Sequence, residues 1–174
     1  MVLAKLIRGL LDGALATLGI VIGASAASGV IIIAAAVGGA LANGISNAVS
    51  AYSAESAIRY GELRETEKAM VSGELRGAQL DRRLSQGIVA SGAADGLATV
   101  IGGAVPILPY IFLPPGQAMF VAIGLVVAVT GVIGVYLGRV SRRSIVFSAI
   151  KMAGLGIVVA VVAYVVQAVI VPGE

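Results

Sequence analysis

From Gly13 to Ala54 the chain carries no charged residue, and no other feature limits its fold so tightly. Those roughly 42 residues, wound as one helix at about 1.5 Å per residue, would reach about 60 Å, twice the hydrocarbon thickness of a bilayer. The run therefore predicts a hairpin of two spans turning near Val37-Gly38-Gly39. A charged stretch from Glu55 to Arg83 follows, then an apolar run closed by Pro114-Pro115-Gly116, a second ending at Gly138, and a last one that stops at Pro172-Gly173-Glu174. The expected fold is an all-α polytopic membrane protein with five transmembrane helices in a single membrane domain, 1–174. The spans fall near 11–36, 38–58, 85–113, 117–138 and 152–171, and the second helix extends into a short cytoplasmic helical segment near 59–84.

Composition excludes the alternatives. With 59% hydrophobic and 12% charged residues and a mean hydropathy of +1.03, against roughly 25% charged in soluble chains, the interior of a globule this size could not hide the apolar side chains. The absence of Cys and His removes disulfides, thiolate or imidazole zinc sites and His-assisted nucleophiles, so an enzyme is not expected. What remains for metal is oxygen and thioether: nine carboxylates, amides, backbone carbonyls and four Met, a set suited to Mg, Ca, Mn or ferrous iron.

The net charge of +3 does not point to nucleic acid, because the basic residues are sorted by loop. Lys5 and Arg8 precede the first span, six more lie between Glu55 and Arg83, and Arg139, Arg142, Arg143 and Lys151 separate the last two spans, while the opposite loops hold none. The positive-inside bias then puts the N-terminus in the cytoplasm and the C-terminus outside. The first span lacks an A-x-A-like cleavage site and is not expected to be a signal peptide.

Polar groups inside spans need a partner or a purpose. Asp12 sits near the cytoplasmic end of the first span, as an interfacial residue beside Lys5 or Arg8 or as a cation ligand. Asp95 lies about ten residues into the third span, either paired with a buried amide or held protonated, or functional. Asn43, Ser46, Asn47, Ser50 and Ser53 recur at spacings of three and four, which places them on one stripe of the second helix. That stripe serves inter-helical hydrogen bonding or forms one wall of a polar cavity, and a cation there would need a carboxylate facing it. Beyond the membrane, Glu55, Glu62, Glu65 and Glu67 either gather cations or are balanced on a solvated helix by Arg59 and Lys68. Pairs of small residues four apart, Gly9/Gly13, Gly19/Gly23, Gly92/Gly96 and Gly134/Gly138, mark close helix contacts within a subunit or across a dimer. The fragments Asp12–Thr17 and Asp95–Thr99 are alike, by internal repetition or by chance in a sequence rich in Ala, Gly and Leu.

Four segments carry a resemblance. Asp12-Gly13 is followed by Thr17-Leu18-Gly19 and Val21-Ile22-Gly23-Ala24-Ser25-Ala26; the second span holds Leu41-Ala42-Asn43-Gly44-Ile45-Ser46; a Glu-bearing segment follows; and the third span ends in Gly102-Gly103-Ala104-Val105-Pro106-Ile107-Leu108-Pro109-Tyr110. In this order they resemble the vacuolar iron transporter family, in the form of a short prokaryotic-type member. The resemblance implies a homodimer in a prokaryotic cell membrane that exports ferrous iron or manganese from the cytosol in exchange for protons, with no permanently bound cofactor. Asp12 matches the family directly, whereas Asn43 stands where the family has Asp and Asn47 where it has Met. The charge lost at Asn43 is expected to be made good by Asp95, so that Asp12 and Asp95 face Asn43, Ser46 and Asn47. Glu55, Glu62, Glu65, Glu67, Met70 and Glu74 would stand in for the family's cytoplasmic metal-capturing segment. The alternatives are a non-transporting membrane scaffold or a carrier of another solute.

Overall fold

The computed structural model describes residues 2–69, 78–142 and 144–170. They form five helices: α1 Val2–Gly23, α2 Gly29–Ala69, α3 Ala78–Phe112, α4 Pro115–Val140 and α5 Ile145–Ile170. Each is long and apolar enough to cross a bilayer, so the five-span, all-helical fold expected from the apolar runs is the fold of the described residues.

The span limits differ from those expected at three places, one of them the start of α5, which begins at Ile145 instead of 152 and takes Lys151 into its second turn. The first turn lies at residues 24–28, Ala-Ser-Ala-Ala-Ser, instead of at Val37-Gly38-Gly39, which are interior to α2. Glycine at 39 has a packing reason: a Cβ there would fall 2.3 Å from Ile20 Cδ1, so its bare backbone admits the α1 side chain. Helix α1 also begins at Val2, about nine residues early, and takes Lys5 and Arg8 into its first turns. Charges normally end a span, but both side chains find acidic or hydroxyl partners on neighbouring helices. At the other end, α2 runs unbroken to Ala69, into the charged segment.

Three helices pack through their backbones. Helices α1 and α3 run parallel, and at Gly13 an ideal Cβ would lie 1.8 Å from the carbonyl oxygen of Thr99, so any side chain would force them apart. Helix α2 lies antiparallel on α3, with Gly92 and Gly96 against the Ala48 and Gly44 carbonyls. Helices α4 and α5 form an antiparallel hairpin whose contact passes through Gly134 and Gly138. The turn between them, residues 141–144, begins with Ser141 and Arg142, the latter at φ 52°. The hairpin meets α1 along a stripe of Ala118, Ala122 and Val126, which share a core with Leu18 and Ile22. Phe112, Phe120 and Phe147 point outward, an apolar surface that only a bilayer solvates well.

Helix α3 continues through Pro106 and Pro109 to Phe112. Proline there removes the donors that the carbonyls of Gly102 and Val105 would have used, and Pro106 is among the fully buried residues. The ladder is interrupted on a face covered by protein, where interruption is tolerated.

Candidate functional site

The near-touching backbones of α1 and α3 leave side chains only beside the contact, and α2 closes over them. Asp12 reaches from α1 to α2, where its Oδ2 accepts hydrogen bonds from Asn47 Nδ2 at 2.6 Å and Asn43 Nδ2 at 3.2 Å. The Asn47 amide is shared with Thr99 Oγ1 at 2.9 Å, and the Thr99 hydroxyl donates to the Asp95 carbonyl at 2.9 Å. One carboxylate, two amides and one hydroxyl from three helices thus form a polar cluster within the membrane-spanning segments. Ser46 lies between the two asparagines in sequence, exposed on α2.

Asp12 is exposed. It opens into a groove of about 440 Å³ between α1 and α5, whose other walls are Leu15, Ala16, Gly19 and the apolar Val158, Val159, Val162 and Ala163. Residues 19 and 23 each lie within about 20° of Asp12 around α1, on either side of it, and nothing lies within 4 Å of where a side chain at Gly19 or Gly23 would begin. A carboxylate therefore sits at one end of an open strip of small residues.

Asp95 does not face the asparagines. It is fully buried and forms a two-pronged ion pair with Arg8, Nη2 on Oδ2 and Nε on Oδ1 at 3.3 Å. The expectation that Asp95 supplies a second carboxylate to the stripe is corrected on that point. A cation in the span must be matched by an anion, and Arg8, one turn before Asp12, takes up the Asp95 charge.

Glu55 is likewise not a free ligand. It is buried, paired with Lys5 and with Arg59 at 2.7 Å, and Lys5 also donates to Ser91. Its charge is spent on joining α1, α2 and α3. Glu62 and Glu65 are exposed further along α2, while the side chains of Glu67, Met70 and Glu74 lie outside the described residues. Among the described residues no three carboxylates come together as a preformed cation site.

Sequence reasoning missed Thr99 as a partner of Asn47 and missed Lys5 and Arg8 as intramembrane ion-pair partners. The likeness of Asp95–Thr99 to Asp12–Thr17 was a signal for Thr99. For the two cations no signal existed short of knowing which helices touch.

Fold and cluster define a class: an integral multi-pass helical membrane protein with a carboxylate and amide cluster inside its spans. The chain belongs to the VIT family, whose model matches residues 61–168. It is 36% identical over 165 residues to an uncharacterized protein of Methanocaldococcus jannaschii, covering 93% of this chain and 86% of that one.

Proposed function

We propose that the protein carries a divalent metal cation, ferrous iron or manganese, out of the cytosol in exchange for protons, as a homodimer. On this reading it sits in a prokaryotic cell membrane with the N-terminus inside and the C-terminus outside. Membership of the VIT family makes metal transport the natural frame, and Asp12 is the observation that carries the reading. An ionised carboxylate on the open face of an apolar span is costly unless water, a cation or a partner reaches it.

The chemistry of the cluster fits a hard or borderline cation. Asn43 and Asn47 turn N–H groups toward Asp12, and rotation of either amide would present an oxygen instead. Asp12, the two amide oxygens and Thr99 Oγ1 then offer four oxygens, with water or a second subunit completing the shell. Protonated, Asp12 needs no counter-charge, so cation and proton compete for one group, which is the elementary requirement for exchange. Glu62 and Glu65, exposed near the basic end of the bundle, would draw cations toward that mouth. The open strip from Asp12 through Gly19 to Gly23 supports the dimer, because a second copy laid on it would cover the carboxylate.

Purified protein reconstituted in vesicles should take up Mn2+ or Fe2+ in exchange for protons when the lumen is made acidic, and Asp12→Asn should abolish the uptake. In detergent, one of Mn2+, Fe2+, Mg2+, Ca2+ and Zn2+ should raise the Tm of the parent and not of Asp12→Asn. The rival, a non-transporting scaffold, is favoured by Asn43 in place of the family's carboxylate. Absence of metal response in both assays would decide for it.

A further inference from the structure

Arg8 places a fixed positive charge one helical turn from the proposed cation ligand. Residues four apart share a helix face and their side chains meet, so the Arg8 guanidinium has two carboxylates within reach: Asp95 on α3 and Asp12 on its own helix. The structure pairs it with Asp95. The Arg8 side chain is 62% exposed and Asp95 is 0% exposed, so the guanidinium has open space to turn into and the carboxylate is enclosed. Asp95 cannot move to Asp12, because the close contact of Gly9 with the Asp95 carbonyl holds the two backbones together.

We infer that Asp95 is a positioning residue that holds the Arg8 guanidinium off Asp12, and that Arg8, once released, binds Asp12 as a tethered competitor of the transported cation. This rests on the transport reading only for its effect on metal; the position of Arg8 does not depend on it. A guanidinium matches a carboxylate in charge and in fork geometry. Because it is covalently attached to the same helix, its effective concentration at Asp12 is high. Neutralising Asp95 leaves Asp12 as the nearest acceptor. The positive charge would then settle where a divalent ion must bind. The Asp95 carboxylate, which looks like a ligand in the sequence, acts as a sink for a charge that would otherwise close the site.

A direct ligand, a structural ion pair and a positioning residue give different results in Mn2+ uptake by vesicles and in labelling of Asp12 with a hydrophobic carbodiimide, read by peptide mapping. For Asp95→Asn the KM for Mn2+ should rise about tenfold or more with Vmax per folded protein unchanged. The pair Arg8→Gln with Asp95→Asn should bring KM back to within about threefold of the parent, since the competitor is gone. A ligand role for Asp95 predicts that the pair stays impaired, and a structural role predicts lost Vmax at unchanged KM; either result overturns the inference. Labelling needs no metal: it should slow in Asp95→Asn as the guanidinium covers the carboxyl, and return in the pair. Equal labelling in all three proteins would overturn the inference even if transport is confirmed, and restored labelling would sustain it even if no cation is transported. Should Asp95→Asn fail to fold, the paired variant, which removes both charges, still decides: parental KM and labelling are expected, and a tenfold higher KM refutes it.

Discussion

Asn43 meets Asp12 through an N–H group at 3.2 Å, and this contact separates two ways of building a cation site. With an amide there, the cluster holds one carboxylate that accepts from two side-chain donors. Asn43→Asp would remove a donor and set a second carboxylate beside the first. Like charges at this distance repel, so the metal-free protein should lose about 1 kcal/mol of stability, while a divalent cation placed between the two carboxylates should bind about tenfold more tightly. Thermal unfolding with and without Mn2+ checks both signs together: a lower Tm in chelator and a larger rise on adding metal. If the variant is as stable as the parent in chelator and gains nothing from metal, positions 12 and 43 do not share a site.

At the scale of helices, glycine explains why the first hairpin was legible in number but not in place. The uncharged run from Gly13 to Ala54 could only be two spans, yet Gly38-Gly39 offered the obvious punctuation and the real turn at 24–28 has neither Gly nor Pro. Glycine serves turns by its freedom and helix contacts by its lack of a side chain, and sequence alone does not separate the two uses. The same limit hid the start of α1: Lys5 and Arg8 read as residues outside the membrane until α2 and α3 supplied Glu55, Ser91 and Asp95. The stripe of Asn43 and Asn47 was legible because spacing on one helix encodes a face. Which carboxylate it met depends on how two other helices are packed. Insertions test the corrected turn. Two residues placed after Ser25 lengthen a loop at little cost, and folding and Mn2+ response should survive. Two residues placed between Gly38 and Gly39 rotate everything beyond them by about 200° relative to the first half of α2. Asn43 and Asn47 could then not both face Asp12 while Ile32 and Ala36 keep their places in the core. The metal response should be lost, as read by thermal shift on the sized, folded fraction.

In the whole molecule the helices alternate in direction, which brings the Lys- and Arg-bearing ends of all five to one side. On the proposed orientation that side is cytosolic, and because the chain has no Cys, single cysteines report sidedness without background. A cysteine at Ser141, in the α4–α5 turn, and one at Gly116, at the start of α4 where nothing crowds a side chain, should react with a membrane-impermeant maleimide from opposite faces of intact cells, Gly116→Cys from outside. Labelling from the same face would dismiss the five-span insertion.

Assembly is tested by the difference between two pairs of glycines. Gly134 and Gly138 lie against α5, where a Cβ on Gly134 would stand 2.6 Å from the Ser148 carbonyl oxygen, so Gly134→Leu should split the α4–α5 hairpin and cost stability, by about 1–3 kcal/mol or more. Gly19 and Gly23 face open space on the side of α1 that carries Asp12. A leucine at either harms nothing inside one copy and adds helix propensity, so thermal stability of the single chain should hold or rise slightly. Across a symmetric interface the same leucine would hold two α1 backbones apart. If the proposed dimer is closed on this strip, Gly19→Leu and Gly23→Leu should shift the detergent-solubilised protein from dimer to folded monomer, measured by mass in light scattering and by Tm, and should weaken Mn2+ uptake by uncovering Asp12. A dimer of parental mass in both variants would place the interface elsewhere and leave Asp12 to water; unfolding in both would mean that the strip is packed within the subunit.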